Sequence, residues 1–99
     1  MSRESLKVEE IATALQALDG WEVVEAEGIF QLRKSYSFKN FAEALEFTNQ
    51  VGALAEAEDH HPEITTEWGK VTVTWWTHTV RGLSPNDFTM AGKVDALST

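Results

Sequence analysis

Two stretches of this chain, residues 21–36 and 63–77, share one local layout: an extended run, a short turn containing a glycine, and a second extended run. Turns this short join antiparallel neighbours, so the two stretches together predict an antiparallel sheet of four strands. In the first stretch, strands at 21–26 and 29–36 flank Glu27-Gly28. Phe30, Leu32 and Tyr36 fall on one face of the second strand, and Gln31, Arg33 and Ser35 on the other. In the second stretch, strands at 63–68 and 70–77 meet at Trp68-Gly69-Lys70. Val71, Val73, Trp75 and Thr77 alternate there with Thr72, Thr74, Trp76 and His78, which predicts a half-buried strand with His78 on its more polar face.

Helical patterns fill the remaining chain. Val8, Ile11, Leu15 and Leu18 recur at helical spacing and stop at Asp19-Gly20, predicting a helix over 6–18. Asn40 followed by Glu43 resembles a capping box, and Phe41, Ala44, Leu45, Thr48, Val51 and Ala55 continue as one stripe, predicting a helix over 41–57. Phe47 and Leu54 fall outside that stripe, so this helix is expected to bury a second side against another subunit. Ser84-Pro85-Asn86-Asp87 suits a helix start, with Ser84 as cap, Pro85 first and Asp87 third, and that helix is expected to reach Leu97. The order α-β-β-α-β-β-α predicts an α+β fold in which three helices pack on one face of a four-stranded antiparallel sheet.

Ninety-nine residues suit one domain spanning 1–99, and a 42% hydrophobic content with ten aromatic residues supports a folded core. The net charge of −8, with eight scattered Lys and Arg, argues against nucleic acid or an anionic lipid surface as partner. There is no cysteine, so disulfides, thiolate metal sites and cysteine nucleophiles are excluded. The start MSRESLKVEE has no apolar signal region and no stretch is long enough to span a bilayer, so the expectation is a soluble cytoplasmic protein.

The chain's three histidines lie in Asp59-His60-His61-Pro62-Glu63 and Thr77-His78. The proposed hairpin places the start of one strand beside the end of its partner, which brings His60, His61 and His78 to one end of the sheet. Pro62 biases His61 toward extended backbone. Imidazoles near neutrality can supply a proton donor and an acceptor together, and Glu56, Asp59, Glu63 and Asp87 are available to orient them. Three other readings stand beside this one. The histidines could decorate a solvated loop; they could bind a metal, although adjacent ligands are less usual than i, i+4 pairs; and Asp87 serves first as a helix cap. Trp75 is read as core, Trp76 as interface or pocket lining, and Trp21 and Trp68 as structural.

The string E-x-x-D-H-H-P-E from Glu56 to Glu63, the aromatic and V-T-V from Trp68 to Val73, and T-H-x-x-x-G-L-S-x-x-D from Thr77 to Asp87 together resemble the pterin-4a-carbinolamine dehydratase family. Gly20-Trp21, Ile29-Phe30 and Ser37-Phe38-Lys39-Asn40-Phe41 extend the resemblance over nearly the whole chain. It implies dehydration of 4a-hydroxytetrahydropterin to quinonoid dihydropterin, in tetrahydrobiopterin recycling beside an aromatic amino-acid hydroxylase. It also implies catalysis by His60, His61 and His78 with neither metal nor cofactor. His61 would be the principal base and His60 or His78 the donor to the leaving hydroxyl, with Glu56, Pro62, Thr77, Thr79, Val80 and Asp87 around the substrate. Ile64 stands where family members can have an aromatic and Asn86 where they can have an arginine, which bears on side-chain preference and rate. Family members form dimers by extending the sheet and tetramers by packing long helices, so a homodimer or homotetramer is implied. Some animal members act on a protein partner, which makes a dimerisation or regulatory module the alternative reading.

Overall fold

The computed structural model describes residues 5–98, so residues 1–4 and 99 of the expected 1–99 unit lie outside the described part. The elements are α1 (Val8–Leu15), β1 (Glu22–Ala26), β2 (Ile29–Ser37), α2 (Phe41–Glu58), β3 (Glu63–Glu67), β4 (Lys70–Trp75) and α3 (Pro85–Leu97), with a 3-10 turn at His78–Val80. The expected order holds. The four strands form one antiparallel sheet in the order β1-β2-β4-β3, which puts β2 and β4 at the centre.

Each boundary has a local cause. Glu27 and Gly28 both take positive φ, the geometry a two-residue hairpin needs, and only the glycine does so without steric cost. Gly69 is also left-handed. Its carbonyl accepts from the Phe38 N–H at 2.8 Å, and a side chain there would press on the Phe38 carbonyl, so this turn is clasped against the end of β2. The Asn40 side chain accepts from the Glu43 N–H at 2.8 Å and starts α2. At α1 the Lys7 N–H donates to Glu10 Oε1 at 2.8 Å, so this helix begins at Val8 rather than 6. It also ends sooner than predicted: the N–H groups of Gln16, Ala17 and Leu18 bond three residues back, and the chain tightens out of the α-helix toward Gly20.

Leu32 and Tyr36 of β2 and Val71, Val73 and Trp75 of β4 form the inner face of the sheet, buried under Ala44, Phe47, Val51 and Ala55 of α2 and Met90, Ala91 and Val94 of α3. Four sequence expectations are corrected here. Phe47 does not face a second subunit: it is 4% exposed and stacks obliquely on Tyr36 and Phe38, a burial that contributes about 1.5–3 kcal/mol. Leu54 packs beside it against the core. The large apolar side chains that α2 leaves outside are Phe41 and Leu45, at 46% and 43% exposure. Phe30, expected inside, is 37% exposed near the β1–β2 turn, and Trp68, expected to be structural, projects from the β3–β4 turn at 73% exposure.

Lys34 shares the inner face of β2 with Leu32 and Tyr36, and Asp95 of α3 receives it. Asp95 accepts from Lys34 Nζ at 2.9 Å, Tyr36 OH at 2.6 Å and Trp21 Nε1 at 3.0 Å, tying α3 to the first hairpin. Burial alone would raise the Asp95 pKa, but the hydrogen bonds from Tyr36, Lys34 and Trp21 and the lysine charge outweigh it and hold the carboxyl below its ordinary range. Burial first, then the Asp95 bond and charge, push the Tyr36 phenol above its ordinary value, so it stays a donor. Among the described residues no helix is long and apolar enough to cross a membrane.

Candidate active site

The end of α2 sets the histidine loop. Asp59 takes a left-handed conformation (φ 53°), its N–H bonds to the Glu56 carbonyl at 3.3 Å, and the His60 N–H bonds to the Ala55 carbonyl at 3.1 Å. This is a Schellman ending with aspartate where glycine is usual, and it reverses the chain so that His60 turns back toward the core. Asp59 therefore ends a helix; the structure gives the ring-orienting work to Asp87 and Glu56.

His60 Nε2 lies 2.6 Å from Asp87 Oδ1. Its side chain is 14% exposed, while that of Asp87 is 0% exposed. The other oxygen, Oδ2, accepts from Thr77 Oγ1 at 2.8 Å and from the Ser84 N–H at 2.9 Å, and Thr77 Oγ1 lies 2.7 Å from Ser84 Oγ. Asp87 is thus the cap of α3 and the anchor of His60 at once. Asp87 has no exposed surface, and its carboxylate is turned to His60, Thr77 and Ser84. A carboxylate offers lone pairs, so the hydrogen between the two groups sits on His60 Nε2, and Nδ1 is the ring nitrogen left for other work.

The His60 ring lies flat on Trp75, with centroids 5.4 Å apart and planes 1° from parallel. Trp75 ends β4 opposite Leu32 of β2 and is fully buried, and its Nε1–H has no hydrogen-bond partner among the described residues. A buried donor left unpaired costs about 1–3 kcal/mol.

His61 stands in a different setting. Its side chain is 57% exposed, and Nε2 lies 2.8 Å from Glu56 Oε1 on the last turn of α2. A hydrogen bond this exposed contributes little to stability, so it orients the ring more than it holds the fold. β4 stops at Trp75, two residues before its predicted end, because the Thr77 N–H bonds back to the Gly82 carbonyl at 2.8 Å and closes a loop around the 3-10 turn. His78 therefore sits on that turn rather than on a strand face. It is exposed, with its ring centroid 5.0 Å from that of Trp76. Thr79 is exposed and Val80 half-buried on the same turn, and Pro62 is half-buried just before β3.

The ladder ends with Glu63 opposite Thr74, so the His60–Pro62 loop and the Trp75–His78 segment emerge side by side. Thr77, next to His78, meets Asp87, which meets His60. One inner, doubly held imidazole and two outer ones thus lie at the same end of the sheet. Among the described residues, no three His, Asp or Glu side chains stand in an arrangement that could hold a metal ion. The sequence reading named Thr77 and Ser84 but missed their hydrogen bonds to each other and from Thr77 to Asp87, and it missed the stacking of Trp75. The S-x-x-D spacing signalled the cap but not that its aspartate has a second oxygen to spend.

Comparison with known proteins bears on the family and the fold. The family model described as pterin 4 alpha carbinolamine dehydratase matches residues 4–97. A protein of Syntrophotalea carbinolica carrying the pterin-4-alpha-carbinolamine dehydratase name is 56% identical over 89 residues, covering 90% of this chain and 80% of its own. One from Vibrio cholerae with the same name is 54% identical over 93 residues, covering 94% and 85%. Among solved structures, the transcriptional coactivator/pterin dehydratase of Brucella melitensis superposes with a TM-score of 0.86 at 36% identity, over 97% of this chain and 100% of that one. A pterin dehydratase-like protein identified as a RuBisCO assembly factor in the alpha-carboxysome superposes at 0.68 and 25% identity, over 81% and 90%.

Proposed function

The chain belongs to the pterin 4 alpha carbinolamine dehydratase family, and from that membership we propose that it is a hydro-lyase converting 4a-hydroxytetrahydropterin to quinonoid dihydropterin and water by histidine acid-base catalysis. The observation that carries the reading is the pairing of His60, fixed by Asp87 at 2.6 Å, with a neighbouring His61 that is open to solvent and oriented by Glu56 at 2.8 Å. One ring is held and the other is accessible, as a reaction needing a donor and an acceptor at adjacent atoms requires.

In this reading the C4a–O bond breaks while an imidazolium gives its proton to the departing hydroxyl, which leaves as water. A neutral imidazole takes the N5 proton, and the electron pair of the N–H bond becomes the C4a=N5 double bond. His61 is the base. His60 is the donor through Nδ1, because its Nε2 hydrogen is committed to Asp87, whose charge balances the ring when Nδ1 carries a second hydrogen. His78 closes the far side of the substrate, and Pro62, Thr77, Thr79, Val80 and Glu56 border it. Residues 1–99 act as one catalytic unit, needing neither metal nor cofactor, in the recycling of tetrahydrobiopterin.

The test mixes purified protein with freshly generated 4a-hydroxytetrahydropterin and follows the quinonoid product by absorbance. Wild type accelerates the dehydration over buffer, and His60→Ala and His61→Ala each reduce kcat by roughly 10²–10⁴-fold. A wild type no faster than buffer, or full activity in the double variant, overturns the proposal.

A second reading, a module acting on a protein partner, draws on exposed Phe41 and Leu45 of α2. These offer an apolar face to a second copy of the chain, as a homodimer or homotetramer, or to another protein.

A further inference from the structure

The inward row of β4 is Val71, Val73 and Trp75, two aliphatic side chains and then an indole. The indole is the misfit of that row, because its N–H is buried without a partner among the described residues, a loss that an all-carbon side chain would avoid. What the indole offers instead is a broad flat face, and the His60 ring lies on it with planes 1° apart.

The bond from His60 Nε2 to Asp87 fixes one atom of the imidazole and leaves the ring free to tilt about that contact. A plane stacked beneath it removes this freedom, and two constraints together determine where Nδ1 points. Trp75 can act as such a support because it is itself immobile: it is fully buried at the end of a central strand, opposite Leu32. The electron-rich face of an indole also favours a cationic ring above it over a neutral one. We infer that Trp75 is a positioning residue for catalysis, the flat bearing on which His60 is held so that Nδ1 meets the reacting hydroxyl. This rests on the reading of His60 as an acid-base group.

The test separates bearing from bulk. Trp75→Leu keeps an apolar side chain but removes the plane, whereas Trp75→Phe keeps a smaller plane. The Leu variant is expected to lose roughly 10- to 100-fold in kcat with KM within about twofold, the signature of a misaligned group rather than lost binding, and Phe restores most of it. By NMR, the His60 Nε2 hydrogen should be protected from exchange in wild type and in Trp75→Phe, and exchange rapidly in Trp75→Leu. Nuclear Overhauser contacts between the two rings in wild type report the stack without any substitution.

Wild-type kcat in the Leu variant overturns the assignment, as does an equal loss in both variants that follows their loss of folded protein. Absence of the ring-to-ring contacts overturns it even if Trp75→Leu does not fold. A wild type with the NMR signature and no dehydratase activity removes the reaction assigned to the site, and leaves Trp75 as the support that orients His60.

Discussion

Asp87 does two things that a carboxylate can combine only because it has two oxygens. One closes the first turn of α3 through the Ser84 N–H and holds Thr77, and the other holds His60. Asp87→Asn cannot do both. If its carbonyl oxygen keeps the cap, its amide hydrogens face the His60 Nε2 hydrogen, and the imidazole must flip or change tautomer. We expect kcat to fall by roughly 10²–10⁴-fold with KM little changed. Stability should fall by about 1–3 kcal/mol, read by urea denaturation. Activity within a few-fold of wild type would show that Asp87 is a cap and nothing more. At this scale the histidines, Pro62 and the S-x-x-D cap were legible, because residue type and spacing carry them. The left-handed Asp59 was not, because nothing in Asp-His-His-Pro states which residue absorbs a helix reversal.

Between elements, the link most exposed to pH is Asp95, which joins α3 to β2 through Lys34 and Tyr36 and to Trp21 just before β1. Its carboxyl is held below its ordinary value of 3.8, so the folded protein keeps it charged at pH values where the unfolded chain takes up a proton. The sign follows: this contribution is fully present above the unfolded pKa, and is lost as pH falls through the depressed folded one. Acid titration followed by circular dichroism should show wild type losing stability below about pH 5. Asp95→Asn should be less stable at pH 7 and flatter over the acid range; an identical acid slope in both proteins would remove Asp95 from the account. Lys34 lies in the alternation of β2 as an apparent break in an apolar face. Its partner is sixty-one residues away, so local pattern could not supply it.

At the scale of the whole molecule, α2 faces two ways. Ala44, Phe47, Val51 and Ala55 face the sheet, and Phe41 and Leu45 face solvent on the first and second turns of the same helix. We expect wild type to sediment as a dimer or tetramer, and Phe41→Glu with Leu45→Glu to give a monomer with an unchanged circular dichroism spectrum. The same substitutions would abolish capture of a protein partner if the second reading holds. An unchanged sedimentation coefficient would count against α2 as the self-association face. Both substitutions lie outside the core, so the fold is retained in the test.

The sequence alone determined the element order, the antiparallel sheet, the α3 cap and the gathering of the histidines at one end. Turn residues, helical and twofold periodicity and cap spacing are local properties, and hairpins bring their own ends together. Tertiary structure decided the rest. Phe47 went inward and Phe41 outward because the twist and position of the sheet select which side of α2 it covers. β4 stopped early because Gly82 returned to pair with Thr77. His60 became the inner ring, backed by Trp75 and held by Asp87, because three segments distant in the chain meet there. Which imidazole is held and which is free depends on that meeting, and no spacing within one segment encodes it.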